Sequence, residues 1–501
     1  MEGIRTALEL LTTTPLVLAT LAGVGWGIIG GAIPGISTSI TVALLLPFTV
    51  GMDPIIAISM LAATYVGAEY GGSIPAILIR TPGSSAAVAT AIDGYEMHKK
   101  GLSGEALGIS LAAGVLGGLA GMVLLVSLMG PLASVALAFT NPAYFALGVF
   151  GLSIIASLNE GAFEKALISG LVGLAVATIG SDPISGITRY TFGRPELLVG
   201  IAPILVMLGL FAVAELFDQA GTPAWIRTSL STRTKLPSLE TWRRIALPTG
   251  IGSILGAIEG CTPGGGGSVS AFLAYNEARR WSRTPEEFGK GSPEAIAAPE
   301  AANNTQAVTG LVPTLAFGIP SSGTMAVLLG GLLIHGIQPG PLLFAQQPDL
   351  IYGLFGSLFV ANTGQLLLGF MLLTPCIWLV NRPKPYLMMT IYALIFSGAY
   401  SLDNSVFDLG LVLAFGCLGV AMKYGGFPVM PLVLGLVLGP IVERNYRRTL
   451  ELSGGDYSPF FRDPISATLL GLSAAFICWS LYQMYRDLRR SPTPDTSDCA
   501  S

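Results

Sequence analysis

Residues 31–39 read Gly31-Ala32-Ile33-Pro34-Gly35-Ile36-Ser37-Thr38-Ser39, and residues 260–268 read Gly260-Cys261-Thr262-Pro263-Gly264-Gly265-Gly266-Gly267-Ser268. The two blocks lie 229 residues apart, each at the end of a long apolar run. Proline removes a backbone donor and glycine relaxes the dihedral restraint, so each block breaks a helix. A second pair follows, because Gly72, Pro75 and Pro82 recur as Gly310, Pro313 and Pro320 at a spacing of 238. The second copy has gained nine residues between its blocks, and the polar stretch Arg279–Glu300 is where they fall. In hydrocarbon, freed backbone groups cost several kcal/mol unless they are paired or line a cavity. Two interrupted apolar stretches in corresponding order in each half are the pattern of discontinuous helices around a membrane carrier's binding site.

The composition agrees with a membrane setting. Of 501 residues, 52% are hydrophobic and 11% charged, against about 25% charged in a soluble domain. Apolar runs at 16–50 (interrupted), 55–79, 104–129, 131–158, 164–180, 196–217, 245–258, 306–335, 350–380, 386–400, 406–421, 427–442 and 465–485 approach the roughly 20 residues a spanning helix needs. The expectation is an all-α integral membrane protein of about 12 transmembrane segments, built from two inverted repeats with broken helices or re-entrant loops. Its expected parts are a first membrane repeat over 1–226, a cytoplasmic linker over 227–244, a second repeat over 245–464, a terminal transmembrane helix over 465–490 and a disordered tail over 491–501. The first apolar stretch runs on into a Gly/Pro motif, which speaks against a cleavable signal peptide. The net charge of −4, without a long basic block, excludes a nucleic-acid partner. The five cysteines are scattered and no Cys/His pair has metal spacing, so no metal centre is expected.

Charge asymmetry sets the orientation. His98-Lys99-Lys100 follows the second block of copy one, while its counterpart Gly336–Pro341 carries no basic residue. Arg279, Arg280 and Arg283 follow the first block of copy two, while the counterpart Gly51-Met52-Asp53-Pro54 carries none. Basic loops stay cytoplasmic, so the two copies should run in opposite directions across the membrane.

Candidate binding residues cluster at the breaks: Ser37, Thr38 and Ser39; Ser84 and Ser85 after Pro82-Gly83; Gly264, Gly265, Gly266 and Ser268 after Pro263; and Ser321, Ser322 and Thr324 after Pro320. Hydroxyls and freed N–H groups at a helix start suit an anion, while freed carbonyls suit a cation. The bland alternative is a set of kinks whose hydroxyls bond back to their own backbone. Pro34, Gly35, Pro82, Gly83 and Pro320 mark the carbonyls expected to hold a coupling cation, with Glu69 beside them. Asn303 and Asn304 are polar groups in apolar sequence, and at the 238 spacing Asn303 matches Tyr65. Glu300 and Gln306 share that stretch. Arg80 either draws a carboxylate or snorkels to the interface. Asp93 and Glu259 are weaker candidates, and His335 is read as a helix cap.

Nothing points to bond-making chemistry. Gly25-Trp26-Gly27-Ile28-Ile29-Gly30 spells GxGxxG, but no strand precedes it and small residues in an apolar helix serve close packing. Phe288-Gly289-Lys290-Gly291-Ser292 lacks the spacing of a phosphate-binding loop, and HExxH and GxSxG are absent. The chain is therefore not read as an enzyme, and an ion gradient is its expected energy source. A stand-alone carrier remains an alternative, and so does a membrane enzyme, which would need a catalytic dyad at membrane depth.

The stretches GGAIPGISTSITVALLLP, YGGSIPAILIRTPGSSAAVATAIDGYEMHKKG, GGGSVSAFLAYNEAR and APEAANNTQAVTGLVPTLAFGIPSSGTMAVLLGGLLIHGIQPGPLLF resemble the tripartite tricarboxylate transporter family, specifically its large TctA-type membrane subunit. They cover residues 30–101 and 260–344. The resemblance implies a multi-pass permease of the bacterial inner membrane. It implies two partners, a small four-helix membrane subunit and a periplasmic solute-binding protein. It implies a di- or tricarboxylate cargo, sometimes aromatic, carried by symport with Na⁺ or H⁺ and without another cofactor. A homo-oligomer is compatible with it. Ser321 departs from the family pattern, which commonly has glycine there.

Overall fold

A computed structural model describes residues 6, 9–10, 13–136, 138–158, 163–182, 184–220, 234–262 and 266–490. Pro263, Gly264, Gly265, residues 227–233 of the expected linker and the tail 491–501 lie outside the described residues. Helices dominate, and the strands among the described residues are the two-residue pair Gly180–Ser181 and Thr188–Arg189. The chain divides into two compact units, residues 1–138 with 202–421 and residues 139–201 with 422–501.

The first unit begins with α1 (Thr14–Gly31), α2 (Thr38–Thr49), α3 (Pro54–Ile79), α4 (Ala87–Lys99) and α5 (Ser103–Ala136). In the second unit follow α6 (Asn141–Leu158) and α7 (Phe163–Ala177). The chain re-enters the first unit as α8 (Pro203–Met207), a π-helical stretch Leu208–Val213 and α9 (Ala214–Ala220). Next come α10 (Leu239–Gly260), α11 (Gly267–Trp281), α12 (Pro293–Thr309), α13 (Leu311–Phe317) and α14 (Gly323–Ile334). Then come α15 (Leu343–Gln346), α16 (Pro348–Met371), α17 (Leu373–Val380), α18 (Lys384–Asp403) and α19 (Val406–Gly425). The second unit closes with α20 (Val429–Leu452), α21 (Pro459–Arg462) and α22 (Pro464–Arg490).

Eight of these helices are long and apolar enough to cross a membrane. About a dozen were expected. The difference lies in short apolar helices such as α2 and α14, each 12 residues, which at 1.5 Å per residue reach only part of the way across. The apolar run 16–50 breaks as anticipated, at 32–37, where Gly35 has φ +84°.

The same packing occurs at both sequence spacings. A Cβ on Gly23, Gly27 or Gly31 of α1 would strike the carbonyls of Met60, Thr64 and Ala68 on α3. A Cβ on Gly252, Gly256 or Gly260 of α10 would strike those of Ala298, Ala302 and Gln306 on α12. The two glycine rows are 229 apart and the two carbonyl rows 238 apart. Small residues let the backbones touch, which is how helices associate where lipid removes the hydrophobic drive. The breaks match as well. Arg80 and Gly318 are both left-handed, with φ 56° and 67°. The next residues, Thr81 and Ile319, donate to the Pro75 and Pro313 carbonyls at 3.3 and 3.2 Å.

The helices α3 and α12 are cross-linked by polar contacts. Tyr65 meets Gln306, Glu69 meets Asn303 and Ser73 meets Glu300. Numbers rise along α3 as they fall along α12, so these equivalent helices run antiparallel. Their neighbours pair accordingly. The end of α2 meets the end of α14 through Thr49 Oγ1 and His335 Nε2 at 3.2 Å. The end of α4 meets the segment after α11, where Lys100 Nζ donates to the Lys290 carbonyl. Asp93, buried on α4, accepts from the N–H groups of Gly289, Gly291 and Ser292 and from Tyr275 OH, at 2.7–2.9 Å. The Phe288–Ser292 stretch thus wraps a carboxylate of its own chain.

In the second unit, Gly173 of α7 abuts the Leu432 carbonyl of α20, and Gly435 abuts that of Gly170. Beside them Arg447 Nη1 donates to Asp182 Oδ2 at 2.8 Å. The Ser185 hydroxyl, the Ile184 N–H and Arg447 together hold the Asp182 carboxyl well below the usual range.

Candidate functional site

The two copies meet at their breaks. The N-termini of α2 and α14 face each other, with Thr38 Oγ1 and Ser39 Oγ at 2.9 and 3.0 Å from Thr324 Oγ1. The starts of α4 and α11 meet through Ala86, Ala89 and Ala271. A Cβ on Gly267 would stand 3.4 Å from Ala86 and 2.7 Å from Asn303 Oδ1. A helix N-terminus presents unpaired N–H groups and about half a positive charge. Four such ends, in two facing pairs, are gathered here.

Glu69 lies between them. Its Oε2 accepts from Asn303 Nδ2 at 2.8 Å, and the Ser84 and Thr38 hydroxyls lie beside its carboxylate. Thr38 belongs to one facing pair of helix starts and Ser84 to the other, so Glu69 joins them. Next to it Tyr65 OH donates to Gln306 Oε1 at 3.2 Å and lies 3.2 Å from Ser322 Oγ. Gln306 Nε2 in turn donates to Ser321 Oγ at 3.4 Å. Local sequence fixes these starts. Ser84 Oγ accepts from the N–H of Ala87, the first residue of α4, at 3.3 Å, and Ser322 Oγ caps α14 by accepting from Met325 N at 3.2 Å. The two serines sit at the 238 spacing.

The structure thus brings together Thr38, Ser39, Glu69, Ser84, Asn303, Ser321, Ser322 and Thr324. Other candidates stand apart. Ser37 accepts from Ile40 N as the α2 cap, Ser85 is exposed, and Ser268 is half-buried on α11. Asn304 turns to α5, where its side chain packs on Gly114. The Gly35 carbonyl, expected to be open to a cation, accepts from Gln219 Nε2. Gly83 N donates to the Gly72 carbonyl at 3.0 Å, folding its loop against α3. Pro34 and Pro82 are half-buried in their loops, Pro320 is buried, and Gly266 (φ +75°) leads into α11. Arg80 is exposed, 5.9 Å from the Tyr95 ring centroid, and is no part of the cluster.

Tyr65 and Gln306 were not among the expected binding residues. Their only signal in the sequence was a polar group matched in position to Asn303 or adjoining it. Glu259 was underrated too. It is 8% exposed with neither carboxylate oxygen hydrogen-bonded. Glu69, Glu259 and Glu300 are three of the buried carboxylates in this unit. Among the described residues, no lysine or arginine pairs with any of them. A buried, unpaired carboxylate demands a cation or a proton. An apolar cleft of 710 Å³ between α1–α2 and α17–α18, with Trp26, Ile33, Trp378 and Arg382 in its lining, has no such donor cluster.

Broken helices with facing N-termini, set around buried acids and hydroxyls in a bundle of apolar helices, define a membrane transporter. The sequence model of the Tripartite tricarboxylate transporter TctA family matches residues 17–434. The chain belongs to that family and is a membrane component of such a transporter. It is 38% identical over 494 residues to an "Uncharacterized 52.8 kDa protein in TAR-I ttuC' 3'region" of Agrobacterium vitis, covering 97% of this chain and 96% of that protein. It is 36% identical over 236 residues to an "Uncharacterized protein in TAR-II ttuC' 3'region" of the same organism, covering 47% of this chain and 97% of that protein. No solved structure matches.

Proposed function

We propose that this chain is the large, substrate-translocating permease of a bacterial inner-membrane symporter. It imports a di- or tricarboxylate delivered by a periplasmic binding protein, and it works beside a small four-helix membrane subunit. The observation that carries this reading is the meeting of four half-helix N-termini around hydroxyls, amides and acids that lack basic partners. The N–H ends and the hydroxyls of Ser84, Ser322 and Thr324 hold substrate carboxylates from two sides. The acids cannot share a site with an anion unless cations enter too, so transport is coupled to a cation. Glu69 takes the coupling ion, with the loop carbonyls other than that of Gly35, which Gln219 occupies. The antiparallel run of α3 against α12 supports an inverted repeat, in which one site opens alternately to the two sides.

The test is uptake of labelled di- and tricarboxylates into proteoliposomes holding the chain and its small subunit, with and without the binding protein. Uptake is expected to need the binding protein and an inward Na⁺ gradient. Full uptake without the binding protein would identify a stand-alone carrier. Uptake driven by a pH gradient without Na⁺ would overturn sodium coupling.

A further inference from the structure

We propose that Glu300 is the seat of a bound sodium ion, separate from the loop site; this rests on the symport reading above. Glu300 is 1% exposed on α12, where α3, α4 and α5 converge on it. Its Oε1 accepts from Ser73 Oγ of α3 and from Thr90 Oγ1 of α4, both at 2.5 Å. Its Oε2 has no hydrogen-bond partner. Ser110 of α5 stands beside the carboxylate, and its Oγ is also unpartnered. One turn along α12, Asn304 Nδ2 donates to the Glu300 carbonyl at 3.0 Å. A carbonyl can only accept, so this bond fixes which amide atom is nitrogen. The buried Asn304 Oδ1 is then the oxygen without a partner. Asn304 packs on Gly114 of α5, one turn from Ser110, with its Nδ2 the atom nearest that glycine.

The result is a buried junction with one carboxylate, unpartnered oxygens on Glu300, Ser110 and Asn304, and, among the described residues, no lysine or arginine pairing with the acid. A proton on Oε2 neutralises the carboxylate but engages at most one neighbouring oxygen. A cation satisfies several oxygens at once. Carboxylate, hydroxyl and amide oxygens are hard ligands, suited to a hard ion. Among the described residues no group of three His, Cys, Asp or Glu is gathered, so the charge present suits a monovalent ion rather than a divalent one. The ligands also give the ion a mechanical role. Thr90 lies on α4, and Ser84 just ahead of that helix reaches Glu69, so filling the Glu300 seat fixes the helix that presents one of the site's N-termini.

The measurement is equilibrium binding of ²²Na⁺ to the purified full chain in lipid nanodiscs, with no carboxylate substrate present. Glu300→Gln is expected to bind one sodium ion fewer per chain than wild type, and Thr90→Ala to raise the half-saturating concentration of one class of sites about tenfold. Ser153→Ala, in the other unit, serves as control. An unchanged count in a monodisperse Glu300→Gln protein overturns the proposal. Should that variant not fold, an unchanged Thr90→Ala curve overturns it instead. Wild type that binds no sodium at all, or releases a proton-equivalent charge identically in sodium and choline, overturns it as well. Because no substrate is present, failed uptake leaves this result standing, and a lost sodium site leaves the substrate reading standing.

Discussion

Ser84 and Ser322 hold the same place in their copies, each accepting from the N–H three residues on. The Ser84 hydroxyl lies beside Glu69, and the Ser322 hydroxyl lies 3.2 Å from Tyr65 OH. Loss of a neutral donor from a buried anion site costs about 1–3 kcal/mol, or roughly ten- to hundredfold in affinity. Ser84→Ala and Ser322→Ala are each expected to raise the half-saturating substrate concentration by that factor while the protein still inserts. A serine bonding a helix-start N–H, as the Ser322 cap does, is worth about 1 kcal/mol, so Ser→Gly variants at both positions, which cost the helix only tenths, separate folding from binding. Normal uptake by all four variants at limiting substrate would move the site elsewhere. These serines were legible because hydroxyls after a Pro-Gly break recur at a fixed spacing. Tyr65 and Gln306 were not, since a tyrosine or a glutamine in apolar sequence says nothing of what it faces until α3 and α12 cross. Asn304 fails for the converse reason. Adjacent residues on a helix point about 100° apart, so Asn303 can face Glu69 while Asn304 faces α5.

Among elements, the glycine rows of α1 and α10 set how closely each copy packs. Gly27 and Gly256 are equivalent, and at both a side chain would run into backbone. Gly27→Val and Gly256→Val are each expected to destabilise the protein by about 2 kcal/mol or more, in line with overpacking of a tight contact. Gly250→Ala, where a Cβ meets nothing within 4 Å, should be neutral or mildly stabilising. Thermal unfolding in detergent measures this. A valine as mild as Gly250→Ala would mean that the close approach is not rigid. Asp93 is a second device of this kind. Buried with three backbone N–H donors from the Gly289–Ser292 stretch, it explains the Gly-Lys-Gly sequence there as a cradle for a carboxylate of the chain itself. The motif's phosphate-loop look was a by-product of that need, since bare N–H groups bind any anion.

For the whole molecule, the prediction concerns sidedness. Lys99 and Arg280 are expected to face the cytoplasm, and Asp53 and Gln338 the outside. The charge asymmetry of the loops motivates this. The meeting of α2 with α14, and of α4 with the segment after α11, agrees with it. Lys99→Cys, Arg280→Cys, Asp53→Cys and Gln338→Cys, each on a background without native cysteines, can be probed in whole cells with an impermeant thiol reagent. Labelling is expected at 53 and 338 only; equal labelling at all four, or at 99 but not 53, would refute an inverted repeat. The apolar runs, the two pairs of breaks and their spacings follow from the chain alone, because helix length, proline and glycine act within a few residues of themselves. Which polar groups face each other does not follow from it. Glu69 with Asn303, Tyr65 with Ser322 and Glu300 with Ser73 and Thr90 are separated by more than 200 residues. They meet only because two glycine-lined helix pairs cross antiparallel, a consequence of packing in three dimensions that no local pattern encodes.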